Sequence, residues 1–364
     1  MIDWITALIP LDHQEPINGG NVTSISQDGE IDWTVLKKLE VLGSFDSSLH
    51  IKSDLTRFSP ETGRFTHIIF DGNPIKFFQG HNLWGTDDLV GLMAETVMRV
   101  CGLLSIAPSL VDWDQITKGH YQLKRVDSTM MIDLGSNADV EAFLYSAERT
   151  AHMRYKGQGI MTKGTIYFGK HSRRESLKMY NKLGEIKAKG HELPKELQEL
   201  PEIYKWVSGK LRIEAVTRSM QLKDLGLQLA CNWGDSTPQE NIYRLLNGLN
   251  MSEQHTLSAE NLDGLPPRLI AVYHLWKEGH DIKKMYPSKT FYRYRGALLE
   301  SGIDIAVKQG NRAEPSPNVI EFRRVLRPER CEQIPSWAMG TPLSFEPRAK
   351  MPAYETLFPQ AMVG

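Results

Sequence analysis

Residues 173–182 read RRESLKMYNK, a tyrosine set among arginines and lysines. Two other stretches place acids beside cations: YQLKRVDST, which holds Asp127, and KLRIEAVTR, which holds Glu214. A tyrosine hydroxyl has an ordinary pKa near ~10, so it attacks as phenolate only where cations or a base help it. Two carboxylates suit Mg²⁺ or Mn²⁺, hard cations that polarise a phosphate under attack. A lysine offsets the charge that develops in the transition state. Such a set performs phosphoryl transfer through a covalent 5′-phosphotyrosine, which splits one step into two and preserves a phosphodiester for rejoining. By type alone, Tyr180 is equally the description of a packing aromatic, and alternating RVD and RIE segments also describe salt-bridged sheet surfaces.

Strand periodicity is what would gather these groups. With alternate side chains on opposite faces, a strand over ESLKMYNK points Leu177 and Met179 one way and Lys178, Tyr180 and Lys182 the other. In KLRIEAVTR, Leu211, Ile213 and Ala215 share one face, and Arg212 and Glu214 the other. Arg125 and Asp127 share a face of a third strand whose opposite side is less cleanly apolar. If the three pair in one sheet, Tyr180, Lys182, Asp127 and Glu214 meet on one surface. A helix over RESLKMYNKLGEI, with Met179, Leu183 and Ile186 as its core face, would instead turn Lys182 away from Tyr180.

The elements around them follow from punctuation and period. Strands are expected over Ile2–Ile9, Leu49–Leu55, Thr66–Phe70 and Pro74–Phe78, from β-branched and aromatic residues between Gly, Asn and Asp. TDDLVGLMAETVMRVCGLL spaces Leu89, Leu92, Met93, Val97 and Val100 as a helix, with Thr86 as N-cap. HYQLKRVDSTMMIDL is a strand, and GSNADVEAFLYSAERTAHM a helix behind a Ser136 or Asn137 cap. GTIYFG and ESLKMYNK form a hairpin, and a helical LPKELQELPEIYKWV leads to KLRIEAVTR. The fold class is α+β: a central, mostly antiparallel sheet with packing helices in residues 1–235, then a mainly helical C-terminal region, 236–364. There TPQENIYRLLNGL, PPRLIAVYHLWKEGHDI and SKTFYRYRGALLESGIDI are helices, with Ser288 capping the last. The Pro-rich tail after Glu314 packs as an extended arm or stays partly loose.

Bulk composition excludes several classes. With 41% hydrophobic and 24% charged residues among 364, the chain is globular. Neither a membrane span nor a signal peptide is indicated, so a cytoplasmic protein is expected. Cys101, Cys231 and Cys331 show no zinc or disulfide spacing. The net charge of −1 hides a local excess: residues 154–189 contain ten Lys or Arg against two Glu, and a second basic region runs from Lys283 to Arg330. Either region is a solvated face or a grip on a polyanion.

Six motifs in order carry a resemblance. MID at the start, QGHNLWGTDDL (79–89), RVDST (125–129), SRRESLKMYNKLGEI (172–186), GKLRIEAVTRSMQLKDLGL (209–227) and YPSKTFYRYRGALLESGI (286–303) resemble the gene II replication initiators of filamentous phages, the II/X replication protein family. Some plasmid rolling-circle initiators look similar over the RVD, MYNK and RIE segments. The resemblance implies a rolling-circle DNA replication initiator: a strand-specific nicking endonuclease and religase acting in the host cytoplasm. The family's nucleophile falls on Tyr180 and its neighbouring lysine on Lys182. The aligned acids, Asp127 and Glu214, become the expected ligands for Mg²⁺ or Mn²⁺. Many rolling-circle nucleases carry a His-hydrophobic-His metal pair, and no H-x-H occurs here. His81 is either a third ligand or a turn histidine.

Implied partners are duplex origin DNA, single-stranded viral DNA, a host helicase and a host DNA polymerase, with no membrane and no small-molecule cofactor. Lys178, Arg173 and Arg174 are candidate DNA contacts beside the nucleophile. Lys289, Arg293 and Arg295 are candidates on a helix-turn-helix, either against the major groove and its phosphates or as a cationic surface helix. Tyr121, Tyr155, Tyr167 and Tyr204 are read as packing aromatics rather than second nucleophiles. The alternative class is a non-catalytic origin-binding or regulatory protein, and Met251 or Met285 is a conceivable internal start for a shorter product.

Overall fold

The computed structural model describes residues 1–251, 265–299, 303, 305, 306, 326 and 331–359. The FRR and RPER clusters of the second basic region, 322–324 and 327–330, lie outside the described residues. The N-terminal half runs through strands β1 (Ile2–His13), β2 (Asn21–Ile25), β3 (Ile31–Leu36), β4 (Leu39–Leu42), β5 (Ser48–Ser53), β6 (Phe58–Ser59) and β7 (Arg64–Gly72), then helices α1 (Pro74–Gln79), α2 (Leu89–Leu104) and α3 (Leu110–Thr117). The site-bearing part continues with β8 (Gln122–Asp133), α4 (Asn137–Thr150), β9 (Ala151–Met153), β10 (Gly157–Gln158), β11 (Ile160–Thr162), β12 (Thr165–Phe168) and β13 (Glu175–Asn181). It is completed by α5 (Lys182–Ile186), α6 (Lys195–Gln198), α7 (Pro201–Val207), β14 (Lys210–Arg218), α8 (Ser219–Asp224), α9 (Thr237–Asn247) and β15 (Leu249–Met251).

The central sheet has the strand order β11-β12-β13-β14-β8-β1-β7-β5-β4, with β6 on β7, and each pairing along it is antiparallel. Three more helices, Pro267–Lys277, Ile282–Met285 and Ser288–Leu299, pack around Tyr273, Trp276, Phe291 and Leu298. The α+β class with a helical C-terminal region is therefore what the chain adopts. No helix among the described residues is long and apolar enough to cross a membrane.

Burial explains why the middle strands hold their register. Ile132, Leu177, Met179, Leu211, Ile213 and Ala215 face Val140, Leu144, Ile242 and Leu245 of α4 and α9 in one apolar cluster. A slip of one residue would turn this set away from the core and put charged side chains in its place. The opposite face of the same strands is polar near its centre and closes at one end over Leu83, Trp84, Met131, Ile186 and Val207. Helix α9 thus packs on the sheet, although sequence composition groups it with the C-terminal region.

Several local expectations are corrected. Residues 74–78 form helix α1 rather than a strand. Asn73 accepts from Lys76 N at 2.8 Å, Pro74 starts the helix, and Gly80 ends it at φ 77° with its N–H on the Lys76 carbonyl. The buried Ile75 and Phe77 are two apart and so mimic strand alternation. Helix α2 is capped by Asp88, which accepts from Gly91 N, while Thr86 Oγ1 accepts from Asp88 N one step earlier. Ser136 caps α4, but Ala151–Met153 leaves the helix to pair with β10 and β15. The last long helix begins at Ser288, and the Pro287 carbonyl receives the Phe291 N–H.

Residues 331–359 of the tail form an arm packed along the sheet domain. Cys331 bridges to Ile132, and Glu332 N donates to the Met131 carbonyl. Phe345 stacks on Phe78 with centroids 3.9 Å apart, Tyr354 Oη donates to the Pro108 carbonyl, and Phe358 is buried beside Trp113. Asn73 both caps α1 and donates to Asp3 Oδ1 at 2.7 Å. Asn73→Ala should therefore lower stability by about 1–2 kcal/mol in urea unfolding at neutral pH, whereas an unchanged midpoint would show that the cap carries nothing.

Candidate functional site

Register alone fixes most of the site. On β13 and β14, Lys178 stands opposite Glu214 and Tyr180 opposite Arg212; on β14 and β8, Glu214 stands opposite Thr129 and Val216 opposite Asp127. Residues 178, 180, 212, 214 and 127 therefore share the face turned away from α4 and α9. The strand reading of ESLKMYNK holds through Asn181, after which α5 begins with the Asn181 side chain accepting from Leu183 N and Gly184 N.

The tyrosine is held by an acid. Tyr180 Oη donates to Glu214 Oε1 at 2.5 Å, and Lys178 Nζ donates to Glu214 Oε2 at 2.7 Å. Burial alone would raise the Glu214 pKa, but the Lys178 ammonium and the Arg212 guanidinium reverse that and hold it below the carboxylate range. Burial, then the Glu214 charge, pushes the Tyr180 hydroxyl well above its ordinary value. In this resting arrangement the phenol is neutral and the carboxylate charged. Asp127 is also buried, and Arg125 grips both its oxygens, at 2.7 and 2.6 Å. Burial wins there: it lifts Asp127 to about 6, against the pull of Arg125.

Lys182, only 1% exposed, leaves the strand at its end yet stays beside the tyrosine. Its Nζ donates to Asn82 Oδ1 at 3.0 Å and Glu185 Oε2 at 2.7 Å, and lies 5.9 Å from the centre of the Tyr180 ring. Burial lowers its pKa. Arg212 is fully buried, with Nη1 3.4 Å from the Leu83 carbonyl oxygen and Nη2 3.5 Å from Asp3 Oδ1. Alternation places Arg212 on the Glu214 face. Its complete burial, and the joining of Asp3, Asn82 and Leu83 to the site, depend on contacts across about a hundred residues or more that no local pattern encodes.

The same contacts cover the tyrosine. Tyr180 is 7% exposed, so the face is closed rather than open. The segment 80–87 lies over Arg212 and Lys182 through Leu83 and Asn82. Its Trp84 meets Trp206 and Trp337 edge-on, and donates Nε1–H to the Leu343 carbonyl at 2.7 Å. The C-terminal arm thereby clasps the segment that covers the site.

His81 is not brought to the acids. It is buried edge-on to Trp84 at 4.6 Å, its Nδ1 accepts from Leu83 N at 3.3 Å, and burial pushes its pKa down to about 3. Among the described residues no three His, Cys, Asp or Glu side chains are grouped to hold a metal ion. The two acids that remain, Asp127 and Glu214, are each already paired with a cationic side chain. Two carboxylates without sulfur suit a hard cation whose remaining ligands are phosphate oxygens and water.

The basic candidates divide. Arg173 is exposed at the β12–β13 turn, while Arg174 pairs with Asp224 and with Gln221 Oε1 at 3.1 Å. Lys178 belongs to the carboxylate cluster. On the helix Ser288–Leu299, Lys289, Tyr292 and Arg293 are exposed on one side, opposite the buried Phe291 and Leu298; Arg295 is half-buried. Of the other tyrosines, Tyr121 is buried, Tyr167 stands opposite Lys178 on β12, and Tyr204 is half-buried. Tyr155 departs from the packing expectation: it is 88% exposed, with the Arg154 guanidinium 4.9 Å from its ring centre, because it sits in the turn between β9 and β10 at φ 64°.

Comparison with known proteins agrees along the chain. Residues 1–236 match the family described as the N-terminal part of the phage gene II replication-associated protein, and residues 267–342 match the family of its C-terminal part. The gene II replication-associated protein of Enterobacteria phage I2-2 is 39% identical over 338 residues, covering 92% of this chain and 96% of that protein.

Asp127 keeps its proton to about pH 6 in the fold, against an ordinary value of 3.8. The folded state therefore binds more protons in that window. The resulting contribution to stability is full below about pH 4 and is lost as pH rises through 6. Urea unfolding from pH 4 to 7 should show wild type declining relative to Asp127→Asn by up to about 3 kcal/mol; parallel curves would refute the assignment.

Proposed function

Because the chain belongs to the family of gene II replication-associated proteins, we propose that it initiates rolling-circle replication of a phage genome. It nicks the viral strand in a duplex origin and stays joined to the 5′ end through Tyr180. A host polymerase extends the free 3′-OH while a host helicase opens the duplex, and the protein reseals a unit-length circle. The observation that carries this reading is the 2.5 Å contact from Tyr180 Oη to Glu214 Oε1, flanked by Lys178 and Arg212.

The residues supply a path for the proton. Tyr180 Oη bonds to phosphorus as the P–O3′ bond breaks, its proton passes to Glu214 Oε1, and the departing 3′ oxygen gains a proton to become 3′-OH. Glu214 is a weak base while Lys178 and Arg212 lie against it. An incoming phosphate draws those cations toward itself and raises the basicity of Glu214 when the proton must move. Lys182 offsets charge developing on the phosphate. Asp127 and Glu214 would hold Mg²⁺ or Mn²⁺, which polarises the phosphate when bound; His81 stays in its tryptophan pocket. The exposed Lys289 and Arg293 grip origin phosphates, with Arg295 at the margin of the same helix and Arg173 guiding the strand near the site.

Nicking of supercoiled origin DNA, read as an SDS-stable protein–DNA adduct, tests this. Tyr180→Phe should abolish the adduct, and Glu214→Gln should slow it at least about 100-fold, each with origin binding retained. Chelation of divalent ions should remove nicking but not binding. An adduct from Tyr180→Phe would dismiss the nucleophile, and origin binding with no adduct from wild type would leave a non-catalytic origin-binding protein. Arg293→Ala should weaken binding and reduce the salt slope by about one, whereas an unchanged slope would place the DNA elsewhere.

A further inference from the structure

Arg212 differs from Arg125 and Arg174. Arg125 makes two short bonds to Asp127, and Arg174 is paired with Asp224 and Gln221. Arg212 is 0% exposed, yet its contacts are 3.4 and 3.5 Å long and its Nε meets no partner among the described residues. The one carboxylate hydrogen-bonded to it among those residues, Asp3 Oδ1, receives shorter bonds from Asn73 Nδ2 at 2.7 Å and Asn82 Nδ2 at 2.8 Å. A guanidinium has five N–H donors in a planar fork, and here most of them lack an acceptor among the described residues. Burying a charge so poorly satisfied is unfavourable. The fold nonetheless places it directly across the strand pair from Tyr180.

We propose that Arg212 receives the non-bridging oxygens of the scissile DNA phosphate, and then of the phosphotyrosine, through a fork left open for them. This rests on the reading of Tyr180 as nucleophile. A planar fork matches two phosphate oxygens at once, which a lysine does not. Arg212 stays protonated throughout: the Tyr180 Oη–P bond forms, the P–O3′ bond breaks, and the phenol proton ends on the 3′-OH by way of Glu214. To admit the phosphate, the Leu83 carbonyl and Asn82 must move off the guanidinium and Lys182, so segment 80–87 lifts with DNA entry.

The test uses full-length protein and an origin strand carrying a single phosphorothioate, Rp or Sp, at the nick. Wild type should favour one diastereomer. Arg212→Lys, which keeps the charge and loses the fork, should form adduct about 100-fold more slowly, bind origin DNA within about threefold, and lose the diastereomer preference. Asp3→Asn removes the carboxylate but leaves the guanidinium, and should keep the preference even if the fold is weakened. Arg212→Lys with wild-type rate and preference would overturn the proposal, as would loss of the preference in Asp3→Asn to the same degree as in Arg212→Lys. If Tyr180→Phe still forms the adduct, the nucleophile reading fails and this proposal falls with it. If Tyr180→Phe is inert while Arg212→Lys is normal, only this proposal fails.

Discussion

The register between β13 and β14 is the constraint from which the site follows. It sets Tyr180 opposite Arg212 and Lys178 opposite Glu214, so the tyrosine hydroxyl reaches the carboxylate diagonally across the pair. Diagonal neighbours on one face lie within reach of long side chains, and both tyrosine and glutamate are long enough to close that gap. What holds the register is on the other side of the sheet, where Leu177, Met179, Leu211, Ile213 and Ala215 are buried against α4 and α9. The apolar face therefore positions chemistry it never touches.

Charge is concentrated away from water on the opposite face. Lys182, Arg212, Asp127 and Glu214 are all at most 5% exposed. Isolated, each would be strongly unfavourable. Each of the two acids is paired with a further cation, Asp127 with Arg125 and Glu214 with Lys178; the cations around Glu214 keep it ionised, while burial lifts Asp127 to about 6. Such a cluster adds little net stability. On the proposed mechanism its value lies in preorganisation, since the charges stand in place before any ligand arrives.

Much of this was legible in the residues. Period-two alternation placed Lys178, Tyr180, Arg212 and Glu214 on one face, because both strands are apolar on the other. The composition-based reading failed at Pro74–Phe78, where apolar and aromatic residues suggested a strand while Asn73, Pro74 and Gly80 define a helix; turn chemistry outweighed side-chain composition. The role of Glu214 was only half visible. Its type suggested a metal ligand, but nothing local indicates that its nearer oxygen takes the Tyr180 hydroxyl. The covering of the site was invisible, because it depends on Leu83 and Asn82 meeting residues far along the chain.

The C-terminal arm also bears on how the chain acquires its shape. Residues 331–359 are synthesised after the helical unit, yet they pack on Phe78, Trp84, Glu95 and Pro108. Contacts between segments separated by some 250 residues give the sheet domain a high contact order and slow its completion. During synthesis the residues of the sheet emerge before those of the arm. Until the arm has emerged, Phe78 lacks Phe345 and Trp84 lacks the Leu343 carbonyl, so the clasp on segment 80–87 depends on residues made some 250 positions later.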